Sequence, residues 1–209
     1  MTSELLAALD IPMRDIVVSI ALGFVGALVG YLIGSINPAA IIARVRGIDL
    51  RAIGSGNPGA TNAGRAFGWP IGVLVAVLDI AKGFVPVFLL DHFGYPVPAL
   101  VAGLAAVIGH ISSPWLRGRG GKGVATSLGA VLAVQPWWAL PVVGVFLVVF
   151  VITRRVGLSS VAGALMLVPA SLVRHDRPAD IVFAVALAGI VVVRHRRNLA
   201  EAAEAVTPH

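Results

Sequence analysis

The 209-residue chain contains no cysteine, which excludes disulfides and thiolate chemistry. Charge is nearly as scarce: Asp, Glu, Lys and Arg together make up 12% of the residues, against about a quarter in an ordinary soluble domain. The amino terminus, MTSELLAALD, lacks the basic n-region of a signal peptide and reads as retained. No stretch satisfies the Walker A pattern. Lys122 is followed by Gly123 rather than Ser or Thr, and Leu116 stands where the first glycine belongs. With no partner acidic motif either, nucleotide hydrolysis is a poor reading. No metal-ligand cluster is evident, and no cofactor is expected.

Apolar residues are abundant at 58%, and mean hydropathy is +0.94. They come in long runs separated by short basic loops, the pattern of a helical integral membrane protein. The formal net charge of +6 could suggest nucleic acid, but the arginines cluster at the ends of apolar runs, where they orient spans; no nucleic-acid partner is expected. Seven candidate spans follow, at 15–33, 70–90, 97–112, 123–134, 138–153, 158–173 and 180–194. Several fall short of the roughly 20 residues that cross a bilayer, so tilted, re-entrant or partly crossing helices are expected. Gln135-Pro136-Trp137-Trp138 reads as a turn with interfacial aromatics rather than a kink in one long helix.

The cations test this scheme. With seven spans, one side receives Arg44, Arg46, Arg51, Arg65, Arg117, Arg119, Lys122, Arg154, Arg155, Arg194, Arg196 and Arg197. The other receives Arg14, Arg174 and Arg177, and Lys82 falls within a span. The positive-inside rule puts the first set in the cytoplasm. The expectation is an all-α membrane protein, amino terminus outside and carboxy terminus cytoplasmic. It divides into an extension (1–14), one membrane-embedded domain (15–199) and a tail (200–209).

Sorting by side brings three polar segments to the cytoplasmic face. The first is GSGNPGATNAGRAFG (54–68), a composition that makes a poor helix and a poor strand. Ser55, Asn57, Thr61 and Asn62 can donate and accept hydrogen bonds, and Arg65 can clamp a phosphate bidentately. Ser55 alone is an ordinary cap or turn residue, but capping does not call for four such side chains. The second is GRGGKGVATS (118–127). Gly120, Gly121 and Gly123 permit positive φ and close approach of N–H groups. The helix starting at Val124 offers unpaired donors, and Lys122 adds a full charge. The bland alternative is a tight turn whose cations only orient the protein. The third is RHRRN (194–198), where His195 and Asn198, three apart, share one face if the segment is helical. Histidine titrates near neutrality, although it could also mark the membrane interface. Together the three segments form a candidate anion site.

These residues resemble the three cytoplasmic motifs of the PlsY family, the bacterial acyl-phosphate:glycerol-3-phosphate acyltransferases. GSGNPGATNAGR (54–65), GGKGVAT (120–126) and RHRRN (194–198) carry the resemblance. GSI (34–36), GIDLR (47–51), DIAKGFVPV (79–87), GH with Pro114 and LSS (158–160) extend it over residues 28–199. The resemblance implies transfer of a fatty acyl group from acyl phosphate to the 1-hydroxyl of glycerol 3-phosphate. The product would be lysophosphatidic acid, made at the cytoplasmic face of the bacterial inner membrane. It implies functional roles for Ser55, Arg65, Lys122, His195 and Asn198, phosphate binding by glycines 120–123, and an upstream enzyme that forms acyl phosphate. The tail departs from the family: after Asn198 it lacks the Gly and Glu that usually follow, and Arg197 stands where an acidic or polar residue is more usual.

The chemistry suits the residues. Two anionic phosphates must be held together while a hydroxyl is aimed at a carbonyl, and backbone N–H groups can stabilise the oxyanion. The proton acceptor is either His195 as general base or a substrate phosphate, with His195 and Asn198 positioning; the second is favoured because no carboxylate near His195 is evident. Asp79 and Lys82, three apart in the second span, read as a structural ion pair tying that span to its neighbours, with a functional role as the alternative. HDRPAD (175–180) matches the H-x-x-x-x-D pattern of other glycerolipid acyltransferases but falls on the opposite side. A membrane transporter or channel for an organic phosphate is the rival reading. It is disfavoured because no repeated half-motifs occur and the cations lie at one face rather than the midplane.

Overall fold

The computed structural model describes residues 12–173 and 177–204, and every regular element among them is helical. α1 (Met13–Ser35) leads through the short α2 (Pro38–Val45) and a single 3₁₀ turn to α3 (Ala60–Phe67). α4 (Trp69–His92) and α5 (Pro96–Ile111) form an antiparallel pair, followed by α6 (Val124–Val134) and α7 (Ala139–Thr153). The chain continues through α8 (Val156–Leu165), α9 (Leu167–Val173), α10 (Pro178–Arg194) and α11 (Arg196–Glu204).

All seven expected apolar runs are helical, but they are not alike. Five stretches are long and apolar enough to cross a membrane: Met13–Val45, Trp69–His92, Pro96–Leu116, Pro136–Thr153 and Val156–Val173. α10 and α11 form a sixth candidate, bent by 55° between them. α6 has only 11 residues, about 16 Å of helix, roughly half the hydrocarbon thickness. The expected turn before Trp137 is a 3₁₀ turn over Pro136–Trp138. The run 158–173 breaks at Met166. Pro169 is the reason: it has no N–H, and its ring crowds the carbonyl of Leu165, where α8 stops.

Two close backbone contacts build the frame around the site. α1 lies along α5, and a Cβ added at Gly34 would come within 2.0 Å of the Ala106 carbonyl oxygen. α4 lies along α6 in the same manner: a Cβ at Gly83 would meet the Thr126 carbonyl at 2.0 Å, and one at Gly129 the Ile80 carbonyl at 2.0 Å. Only glycine permits such approach. Val87, Val107, Val131, Trp138, Phe183 and Leu187 fill the core between α4, α5, α6 and α10. Other large apolar side chains point outward, among them Phe24 and Ile152, each 75% exposed, as lipid-facing residues do.

Two sequence expectations change. The stretch 54–68 is not wholly irregular, because Ala60–Phe67 is a helix. Asn62, buried within it, donates from Nδ2 to the Leu50 and Ile53 carbonyls at 2.9 Å each and accepts the Ser55 N–H at 3.2 Å. These tertiary bonds hold a helix that local propensity disfavours. His195 and Asn198 do not share one helical face: His195 is the C-cap of α10, and Asn198 lies beyond the bend on α11. In HDRPAD, residues 174–176 lie outside the described residues. Asp180 is taken up by Arg177, whose Nε and Nη2 donate to its two carboxylate oxygens at 2.8 Å each. It sits at the end of α10 opposite His195, about 22 Å along the helix.

Candidate active site

One cavity of about 770 Å³ gathers the three polar segments. Ser55, Asn57, Thr61, Asn62, Arg65, Lys122, Gly123, His195 and Asn198 all line it. The ends of α3, α6, α8 and α10 converge there, from widely separated parts of the chain. Ser55, Thr61 and Arg65 are exposed at the mouth, Lys122 and Asn198 are half-buried, and His195 is 2% exposed.

The loop over 54–59 is shaped by left-handed turns at Gly54 (φ +53°) and Gly56 (φ +66°), conformations that favour glycine. It is pinned from outside by Asn37, whose Nδ2 donates to the Pro58 carbonyl at 2.9 Å. Asn62 therefore acts as a staple, its amide spent on the loop, and Ser55 is what it presents.

Gly120 and Gly121 correct the sequence reading. Neither lines the cavity nor has positive φ; the left-handed glycines here are Gly118 and Gly123. Their N–H groups are already used: Gly120 donates to the Ile111 carbonyl at 2.9 Å and Gly121 to the His110 carbonyl at 3.1 Å. They are glycines because the loop lies directly on the end of α5. A Cβ at Gly120 would fall 1.9 Å from the His110 carbonyl oxygen, and one at Gly121 2.1 Å from His110 Nε2. What faces the cavity is Lys122, then Gly123 (φ +83°) and the start of α6, which no side chain caps. Its first N–H groups and partial positive charge are of the kind that suits an anion.

Lys122 Nζ donates to Asn198 Oδ1 at 2.5 Å, joining the second segment to the third. Burial pushes its pKa below that of a free lysine; Glu201 opposes the shift, while Arg194 and Arg65 add to it. Asn198 packs on the start of α8, where a Cβ at Gly157 would sit 2.9 Å from its Cγ. His195 Nδ1 donates to the Val191 carbonyl at 2.8 Å, which leaves Nε2 as the acceptor nitrogen. Burial lowers its pKa; the Val191 bond opposes this, and Lys122 and Arg194 reinforce it. The shift favours the neutral ring.

Sequence reasoning missed several members. Arg194 Nη2 donates to the Gly121 carbonyl at 3.2 Å and so clamps the loop from α10; its place beside His195 was the available signal. Arg154 and Arg155 line the cavity from the α7–α8 turn, which only the three-dimensional arrangement reveals. The deeper part is apolar, formed by Val131 of α6, Val143, Phe146 and Leu147 of α7, and Leu158 and Ala164 of α8. The site thus combines a cationic, donor-rich mouth with a greasy arm among the apolar helices.

That combination defines a multi-pass integral membrane protein acting on an amphiphile with a phosphate-bearing partner. A family model described as "Glycerol-3-phosphate acyltransferase" matches residues 24–205, and the chain belongs to that family of acyltransferases. It is 40% identical over 185 residues to the glycerol-3-phosphate acyltransferase of Anaeromyxobacter sp. (strain Fw109-5), covering 85% of this chain and 91% of the relative. Identity to the Aquifex aeolicus (strain VF5) protein of the same name is 41%, over 81% of this chain and 89% of that one. Its structure is similar to crystal structures of PlsY (YgiH), an integral membrane glycerol 3-phosphate acyltransferase. The glycerol 3-phosphate form superposes with TM-score 0.85 at 35% identity, covering 90% of this chain and 94% of that one. The lysophosphatidic acid form gives TM-score 0.82 at 34% identity, with the same coverage of each chain.

Proposed function

We propose that the enzyme transfers a fatty acyl group from acyl phosphate to the 1-hydroxyl of glycerol 3-phosphate. The observation that carries this reading is the single cavity in which Ser55, Arg65, Lys122, His195 and Asn198 meet an apolar arm. The acyl tail lies in that arm, along Val143, Phe146 and Leu147. Arg65 and Lys122 hold the phosphates against their mutual repulsion, and Ser55 with the N–H groups at the start of α6 stabilises the oxyanion. The hydroxyl oxygen attacks the acyl carbonyl, the bond from carbonyl carbon to phosphate oxygen breaks, and the hydroxyl proton leaves with inorganic phosphate.

His195 Nε2 accepts a hydrogen bond from the attacking hydroxyl, and Asn198, tied to Lys122, orients the acceptor. A histidine whose pKa is lowered is a weak base, so the departing phosphate is the better proton acceptor. The roles of Asn57 and Thr61 are to line the phosphate mouth. The site faces the cytoplasm of a bacterial inner membrane, with the amino terminus outside, because the basic segments share its side. A separate upstream enzyme supplies acyl phosphate. Residues 15–199 act as one membrane-embedded domain, with 1–14 an extension and 200–209 a tail.

The test is an assay of purified protein in detergent with acyl phosphate and glycerol 3-phosphate alone, without ATP or CoA. Lysophosphatidic acid and inorganic phosphate should appear in equal amounts. Ser55→Ala, Lys122→Ala and His195→Ala should lose product, while His175→Ala keeps it. No product from the wild type sinks the reading, and uptake of glycerol 3-phosphate into vesicles without a lipid product would instead mark a transporter.

A further inference from the structure

A buried polar cluster lies directly behind the Lys122 loop. Lys82 of α4 is 7% exposed and Asp79 is 2% exposed. Lys82 Nζ makes two hydrogen bonds and one ion pair. It donates to the Ile36 carbonyl at 2.7 Å and to His110 Nδ1 at 2.7 Å, and it pairs with the Asp79 carboxylate, whose Oδ1 lies 2.9 Å away. The cluster therefore joins α4, α5 and the end of α1. A lone ion pair tying α4 to its neighbours needs no imidazole, yet here the ammonium is aimed at one.

The imidazole has a direction. Because His110 Nδ1 accepts from the ammonium, its proton sits on Nε2, and Nε2 faces the Cα of Gly121. The three heavy atoms nearest to a Cβ added at Gly121 are all ring atoms of His110, at 2.1, 2.8 and 3.1 Å. The ring is the floor on which the loop rests. Gly121 is held at its N–H by the His110 carbonyl and at its carbonyl by Arg194, and the next residue is Lys122. Asp79 and His110 also line the catalytic cavity. A shift of the imidazole passes to the ammonium of Lys122 through one intervening residue.

We propose that Lys82, Asp79 and His110 are positioning residues that set the height of the Gly120–Gly121 loop and thereby the reach of Lys122 toward the acceptor's phosphate. The proposal rests on the reading of Lys122 as a phosphate-holding group. The cluster acts through the loop rather than on the reacting atoms. It acts on affinity for glycerol 3-phosphate, through a contact in which glycine and imidazole are matched in size.

That matching gives a test which a merely structural role would not pass. Gly121→Ala, His110→Ala and the double variant are purified in detergent, their melting temperatures recorded, and KM measured separately for glycerol 3-phosphate and acyl phosphate. Gly121→Ala drives a methyl into the ring and should raise KM for glycerol 3-phosphate about tenfold or more. His110→Ala removes the floor and should raise it by a similar factor. In the double variant the methyl occupies the space the ring left. The combined effect should then fall short of the product of the single effects by about tenfold, with KM for acyl phosphate changing far less. Independent, multiplicative effects overturn the proposal, as does a folded His110→Ala protein with wild-type KM.

A second variant covers failure to fold. Asp79→Asn with Lys82→Met removes both charges together and buries no unpaired ion; it should raise KM for glycerol 3-phosphate, and an unchanged KM is contrary evidence. Failure of the functional reading looks different, because the wild type itself would then make no product.

Discussion

Replacing Lys122 with methionine preserves the reach of the side chain and deletes its charge. The ammonium is held at 2.5 Å from Asn198 Oδ1 and shares the cavity with Arg65. A hydrogen bond to a charged group contributes about 1.5–3 kcal/mol. Loss of one such contact to the acceptor's phosphate lowers kcat/KM by roughly 10- to 150-fold. Burial already strips water from this ammonium and lowers its pKa, so water replaces the lost contact poorly and the upper part of that range is expected. Asn198 also loses its anchor, which places part of the effect on orientation and hence on kcat. The assay is the initial rate of phosphate release against glycerol 3-phosphate concentration at saturating acyl phosphate. Lys122→Arg should recover only part of the loss, because a planar guanidinium does not reproduce the single short contact to Asn198. A methionine variant with unchanged melting temperature and kcat/KM within about threefold of the wild type would refute the reasoning.

The remaining expectations concern pH, packing and the tail. His195 must be neutral to accept a hydrogen bond, and its pKa lies below the ordinary value. Activity should therefore persist as pH falls through about 6.5 and decline only in more acidic buffer; His195→Gln should lose that component of the pH–rate profile. Gly34→Val sets side-chain atoms against the Ala106 carbonyl, where a Cβ alone would lie at 2.0 Å, and should cost at least about 1–3 kcal/mol, read as a lower melting temperature. Gly189→Ala, with nothing within 4 Å of the new methyl, is the control and should leave it unchanged or slightly raised. Gly163 lines the apolar arm, with Phe146 Cβ 3.3 Å from an added Cβ. Gly163→Leu should raise KM for long-chain acyl phosphates several-fold more than for short ones, and equal effects at all chain lengths would place the tail elsewhere.

Hydropathy made the helical membrane architecture legible because a bilayer demands long apolar helices with satisfied backbones. The break near Pro136 was readable for the same reason, since proline there has one dominant effect. The α8–α9 break was not: Pro169 lies inside an unbroken apolar run, and hydropathy is blind to the lost hydrogen bond. Within the site, motif chemistry identified nine residues that line the cavity, but it misread why two glycines are there. Gly120 and Gly121 looked like flexible phosphate donors; their constraint is the proximity of His110, which only the packing of α5 reveals. The helix at Ala60–Phe67 was hidden similarly, since Asn62 stabilises it through partners 9 and 12 residues away. Asp79 and Lys82 were recognisable as a pair from their spacing. The imidazole that completes the cluster was not, because it comes from another helix.

The central claim is that the acceptor's phosphate is held between Arg65 and Lys122, with its glycerol hydroxyls at His195 and Asn198. A crystal structure of this protein with glycerol 3-phosphate tests that claim most directly. The expected result is a phosphate within hydrogen-bonding distance of the Arg65 guanidinium and Lys122 Nζ, and a hydroxyl oxygen on His195 Nε2. A phosphate bound outside this cavity, or inside it but out of reach of both cations, would contradict the claim.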